Sequence, residues 1–173
     1  MLEQDIESKL RVVPNFPKPG INFLDMSPVL ADGQLFSSVT QKLILPYKGK
    51  KIDKIIAIES RGFILGAAMA QALGAGLVMV RKKGKLPGPT ISASYALEYG
   101  TDTLEMLPQN ISSHDQLLVV DDVLATGGTA KAVCDLCEQL GGKIVGFSFF
   151  IEIEFLQGRK KLIGQNVQSL LIK

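Results

Sequence analysis

From residue 54 onward the chain alternates short, uniformly apolar runs with longer stretches whose apolar residues recur at helical spacing. Residues 54–58, 77–80, 116–120 and 144–151 read as strands, and residues 62–73 and 129–140 read as helices. Strands that are apolar on both faces and separated by helices predict an α/β fold, a central mostly parallel sheet with helices on both faces. Upstream, residues 3–10 have the pattern of a short amphipathic helix. Residues 12–30 carry Pro14, Pro17, Pro19 and Pro28 and predict extended chain and turns. Leu35, Phe36, Val39, Leu43 and Ile44 recur at helical spacing, which predicts a helix over 33–45 closed by Pro46. The uncharged run between Arg61 and Arg81 is long enough to suggest a membrane span. It is broken at Gly74-Ala75-Gly76 and contains Gln71, so it is better read as a buried helix followed by a buried strand.

A length of 173 residues with 46% hydrophobic and 21% charged residues predicts one domain, 1–173, with a real core. Residues 82–115 interrupt the alternation with Lys82-Lys83-Gly84-Lys85-Leu86-Pro87-Gly88-Pro89 and then Tyr95-Ala96-Leu97-Glu98-Tyr99-Gly100; an insertion this long predicts a functional flap. A formal net charge of +2 is too weak to imply a general affinity for nucleic acid or anionic membranes. Two cysteines make no disulfide framework and the first residues lack the parts of a signal peptide, so the cytoplasm is the expected location.

The strongest chemical signal is Val119-Val120-Asp121-Asp122-Val123-Leu124-Ala125-Thr126-Gly127-Gly128-Thr129, set between an apolar strand and a helical pattern. Ala125, Gly127 and Gly128 let backbone N–H groups converge on an anion, Thr126 and Thr129 add hydroxyls, and the helix N-terminus behind them favours negative charge. This arrangement suits a phosphate monoester. Asp121 and Asp122, at the strand end where open α/β sheets bind ligands, are acceptors suited to the hydroxyls of a ribose. The alternative is a solvent-exposed turn with a helix cap. The pattern is neither the Rossmann Gly-x-Gly-x-x-Gly nor the Walker motif, which disfavours ordinary NAD or ATP binding.

Two adjacent acids followed by Ala-Thr-Gly-Gly-Thr resemble the phosphoribosyl diphosphate (PRPP) signature of type I phosphoribosyltransferases. Val13-Pro14-Asn15-Phe16-Pro17-Lys18-Pro19-Gly20, Glu59-Ser60-Arg61-Gly62-Phe63, the stretch from Arg81 to Pro89 and Tyr95 to Gly100 resemble, in the same order, the adenine phosphoribosyltransferase family. The resemblance implies a purine salvage enzyme that converts adenine and PRPP to AMP and diphosphate. It implies Mg²⁺ held mainly through PRPP, with no direct protein metal ligand, and a homodimer. It makes Glu59, Ser60 and Arg61 the diphosphate loop, with a non-proline cis peptide at Glu59-Ser60, and adds Lys85 and Tyr99 from the flap. Independently, Arg61 beside Gly62 at a helix start is placed to stabilise charge on a leaving diphosphate. A further implication is that Arg81 in the flap stem approaches the neighbouring subunit's site.

By pattern alone Glu98 is an ordinary hairpin residue. By resemblance it is the catalytic acid or base that reaches a purine ring nitrogen on flap closure, acting with Asp121 and Asp122 at the ribose. The resemblance also makes 12–30 a hood over adenine. Asn22 and Leu24, at period-two spacing, would offer backbone groups to adenine, Phe23 would stack on it, and Leu156 would close the opposite face; core packing is the competing reading for Phe23 and Leu156. Leu24 stands where many relatives have Arg. Cys134 and Cys137, within a helix, are expected to be buried structural thiols, and His114 a surface loop residue. A regulator that senses PRPP while binding nucleic acid would need an added DNA-binding module or a basic face, and neither is visible. A relative acting on xanthine or hypoxanthine remains a competing assignment, since one sequence shows the phosphate site more securely than the base.

Overall fold

The computed structural model describes residues 3–96 and 100–173. The chain forms two compact units, Met1–Lys42 and Leu43–Lys173. The first contains a short helix α1 (Glu3–Glu7), an antiparallel ribbon of β1 (Arg11–Pro14) and β2 (Asn22–Asp25), helix α2 (Ser27–Ala31) and most of α3 (Gly33–Ile44). The ribbon is tied by Arg11, whose Nε and Nη2 donate to Asp25, while the amide and hydroxyl of Ser27 donate to the other carboxylate oxygen. The extended reading of 12–30 fails at its end, where α2 forms. Pro28 falls in the first helical turn, where its missing N–H has no intrahelical partner to lose.

The second unit is built on a seven-stranded sheet. Its parallel part comprises β3 (Lys54–Ile58), β4 (Gly76–Lys82), β7 (Gln116–Leu124), β8 (Lys143–Glu152) and β9 (Val167–Ile172). The antiparallel strands β5 (Ile91–Ala96) and β6 (Thr101–Met106) extend it at one edge, giving the order β5-β6-β4-β3-β7-β8-β9. Helix α4 (Arg61–Leu73) links β3 to β4, and α5 (Gly128–Gln139) links β7 to β8. These crossovers move in opposite directions across the sheet, so right-handed connections place the two helices on opposite faces. That covering explains the uninterrupted apolar strands: Ile55, Ile56, Ala57, Leu117, Leu118, Val119 and Val120 are all fully buried.

Where the connections diverge, β3 and β7 are neighbours, and the crevice at their carboxyl ends is the topological switch point. The run suspected of spanning a membrane is α4, its Gly74 cap at φ 65°, and β4; among the described residues no helix is long and apolar enough to cross a membrane. The strand expected at 116–120 continues to Leu124, so Asp121 and Asp122 lie within its second half rather than beyond it. Residues 82–115 hold β5, β6 and a short 3₁₀ turn.

Candidate active site

Three segments converge at the switch point. The first is the turn after β3, where Glu59-Ser60 is a cis peptide and Ser60 precedes the first residue of α4, Arg61. The Arg61 guanidinium pairs with Asp122 (Nε to Oδ2, 2.5 Å), so the loop after β3 and the acids of β7 form one unit. Gly62 makes this approach attainable: a methyl group there would lie 2.8 Å from Asp121 Oδ1 and 3.1 Å from the Val120 carbonyl oxygen.

The second segment is the acidic pair. Asp121 and Asp122 are 9% and 8% exposed. Burial, reinforced by the neighbouring charge of Asp122, pushes the Asp121 carboxyl well above the usual carboxylate range.

The third segment is the loop after β7. Residues 125–127 turn, Gly127 adopts φ 76°, and α5 begins at Gly128 with no side chain capping its first turn. The first amides of a helix have no intrahelical acceptor, so those of α5 face a concavity of about 60 Å³ lined by Asp121, Ala125, Thr126, Gly127, Gly128 and Thr129 among others. The motif is thus a strand, a turn and an uncapped helix start, as an anion cradle requires.

Glu59 differs in kind from its neighbours. Its carboxylate accepts hydrogen bonds from Lys85 Nζ, the Lys82 amide (2.9 Å) and Arg81 Nε (3.3 Å). Burial disfavours its charge, but the hydrogen bonds from Lys85 and Lys82 and the charges of Lys85 and Arg81 outweigh this and hold it below its ordinary value. Glu59 thus gathers the cations of residues 81–85 at the turn after β3, a role its sequence position did not reveal. Arg81 also donates to the Lys85 carbonyl (3.1 Å), so within this chain it braces the stem.

Asn22, Phe23 and Leu24 lie on β2 of the first unit, where the Phe23 ring meets Phe16 edge-on with centroids 5.2 Å apart. Leu156 lies on a 3₁₀ turn after β8 (Glu154–Leu156) and is 39% exposed, which disfavours core packing for it. Glu98 and Tyr99 lie outside the described residues. Cys134 and Cys137 are buried in α5, and burial pushes both thiols up to about 12; His114 is an exposed turn residue, as expected.

The sequence matches the phosphoribosyl transferase domain over residues 33–162. It is 50% identical over 167 residues to the adenine phosphoribosyltransferase of Geobacter metallireducens, covering 96% of this chain and 98% of the relative. The chain belongs to the adenine phosphoribosyltransferase family. The crystal structure of the enzyme from Rhodothermus marinus superposes with a TM-score of 0.95 at 48% identity, covering 99% of this chain and 98% of that one. The Saccharomyces cerevisiae enzyme, solved with an imino-altritol bisphosphate and adenine, matches with a TM-score of 0.92 at 40% identity over 98% of both chains. In this chain the 59–61 turn, far in sequence from the contiguous 121–129 motif, meets that motif at one crevice through the Arg61–Asp122 pair.

Proposed function

We propose that this chain transfers the phosphoribosyl group of PRPP to adenine, giving AMP and diphosphate, as a step of purine salvage. The observation that carries the reading is the uncapped start of α5, wrapped by residues 125–128, beside a buried acidic pair at the switch point. A phosphate monoester accepts from the amides of 126–129 and from Thr126 and Thr129, with the helix dipole favouring its charge. Asp121 and Asp122 accept from the ribose hydroxyls, and the diphosphate lies toward Ser60-Arg61 at the start of α4. In the reaction the bond from C1 of the ribose to the diphosphate oxygen breaks, a bond from C1 to the purine nitrogen forms, and that nitrogen loses its proton. Positive charge builds on the sugar and negative charge on the leaving group. The acidic pair favours the first, and Arg61 with Lys85 favours the second. Glu98 handles the purine proton, with Tyr99 next to it in the sequence.

The donor set fits Mg²⁺ held through the substrate. PRPP brings its own hard oxygen donors, and Asp121 and Asp122 add carboxylate oxygens beside the ribose. When bound, the metal supplies charge neutralisation at the diphosphate. The first unit offers adenine the backbone groups of Asn22 and Leu24 and the ring of Phe23, and the second offers the side chain of Leu156.

A homodimer is supported by an apolar patch of Leu77 and Met79 on β4 and Ile64 on α4, which are 41%, 45% and 43% exposed. Two unpaired, buried cysteines fit the reducing cytoplasm. The reading is tested by initial rates with adenine, hypoxanthine, guanine and orotate, each with PRPP and Mg²⁺. AMP from adenine alone is expected; equal or greater turnover of another base would reassign the enzyme.

A further inference from the structure

Among the described residues, a charged network around the buried carboxylate of Glu152 takes no part in the reaction. Glu152, the last residue of β8, is 4% exposed, and it bridges across the sheet to Leu124, the residue just before the phosphate loop. Its carboxylate accepts from Arg159 Nε on both oxygens (2.6 and 2.8 Å) and from Ser169 Oγ on β9 (2.7 Å). Arg159 also donates through Nη1 to the Val167 carbonyl (2.8 Å) and through Nη2 to Ser169 Oγ (3.3 Å). One side chain therefore locks the 3₁₀ turn Gly158–Lys161 to two strands.

The residue before Arg159 touches the phosphate loop. Gly158 lies with its backbone against Ala125 and Gly127. A methyl group on Gly158 would collide with the Ala125 carbonyl oxygen and lie 3.0 Å from both the Gly127 nitrogen and Leu124 Cδ1, and one on Gly127 would collide with the Gly158 carbonyl oxygen. Ile153, directly after Glu152, donates its amide to the Leu124 carbonyl (2.9 Å). The base of the phosphate loop is thus another loop, and the fixed point of that second loop is Arg159.

Glu152 is buried but the Arg159 side chain is 43% exposed, so desolvation of the carboxylate and solvent screening of the guanidinium consume most of the attraction; the pair adds little net stability but fixes geometry. We propose that the Arg159–Glu152 pair is a positioning device for the phosphate site: it holds Gly158 as the floor against which residues 125–128 take the shape that receives the ribose 5-phosphate. The proposal rests on the reading of that loop as the 5′-phosphate site. It makes Arg159 and Glu152 positioning residues that touch no substrate.

The test uses the full chain carrying Arg159→Met, Arg159→Lys or Ser169→Ala. The Kd for ribose 5-phosphate is measured by calorimetry, and KM is measured separately for PRPP and for adenine. Loss of a hydrogen-bonded charge pair predicts that Arg159→Met raises the ribose 5-phosphate Kd and the PRPP KM about tenfold or more, with the adenine KM held within about twofold. Arg159→Lys, a point charge without the planar fork, should recover only part of the loss, and the milder Ser169→Ala should shift both values in the same direction by less. Tyr47→Phe removes the buried hydroxyl that donates to the Phe147 carbonyl on the same strand (2.8 Å), and serves as the control for general destabilisation. It should lower Tm and leave the Kd unchanged. An Arg159→Met protein with wild-type Kd, a control that shifts the Kd as much at equal loss of Tm, or wild-type protein that binds no ribose 5-phosphate would each overturn the proposal. Wild-type protein that binds ribose 5-phosphate yet makes no AMP would instead sink the assigned reaction, while the Kd values of the variants still decide the role of Arg159.

Discussion

Gly127→Ala separates the two demands that the phosphate loop makes on one residue. Gly127 has φ 76°, and a methyl group there would strike the Gly158 carbonyl oxygen, with the carbonyl carbon at 3.0 Å and Cα at 3.1 Å. The left-handed conformation costs an L-residue about 1–2 kcal/mol. Displacing a packed backbone adds roughly 1–3 kcal/mol. Gly164 has φ 82° with nothing within 4 Å of the added methyl, so Gly164→Ala carries only the first cost. For a chain of this length each kcal/mol corresponds to about 2–4 °C, so Gly127→Ala should melt at least about 2 °C below Gly164→Ala. The displaced loop also presents misaligned amides. Losing one charge-assisted hydrogen bond, worth about 1.5–3 kcal/mol, should raise the KM for PRPP roughly tenfold to a hundredfold in initial-rate AMP assays, with the adenine KM unchanged. Equal Tm values for the two variants together with a wild-type KM for PRPP would refute the argument that loop packing sets phosphate affinity.

Other consequences follow from the same structure. The Glu152 carboxyl, disfavoured by burial but held down by Arg159 and Ser169, ionises below its ordinary value of 4.5 in the folded protein. The unfolded chain then binds more protons, so this stability is complete above that value and is lost as pH falls through the folded one; Glu152→Gln should flatten the acid limb of a denaturation profile, and an unchanged limb would dismiss the linkage. Cys134 and Cys137, with thiols pushed up to about 12 by burial, should resist a disulfide reagent at mildly alkaline pH until the chain is unfolded, and rapid labelling of native protein would contradict this. Glu98→Gln should lower kcat by about a hundredfold or more with PRPP binding retained, and single-turnover kinetics showing wild-type chemistry would remove Glu98 from the mechanism. Met79→Asp, placing charge in the exposed patch of β4, should shift sedimentation from dimer toward monomer, and a wild-type that is monomeric at micromolar concentration would discard the dimer.

Much of this architecture was legible because its residues act locally. The parallel strands β3, β4, β7 and β8 announce themselves as apolar runs, since both faces are covered, and the phosphate loop is a contiguous stretch whose glycines and threonines serve their own backbone turn. Strand β9 escaped because Val167-Gln168-Ser169-Leu170-Leu171-Ile172 alternates too weakly at the sheet edge for a reading by period. Helix α2 escaped because a proline in a first turn looks the same in sequence as one that forbids a helix. The Arg61–Asp122 pair joins residues from two crossovers, and the clamp of Glu59 on Arg81 and Lys85 reaches across β3 and β4. Neither leaves a local pattern. The Glu152–Arg159 network was hidden for the same reason, since each charge looks like a solvated residue until β8 and β9 are paired.

The most direct test of the account is a crystal structure of this chain grown with AMP. The account predicts that the 5′-phosphate lies at the start of α5, accepting from the amides of residues 126–129, and that the ribose hydroxyls meet Asp121 and Asp122. An ordered AMP whose phosphate lies away from the 125–129 loop, with the acidic pair untouched, would contradict it.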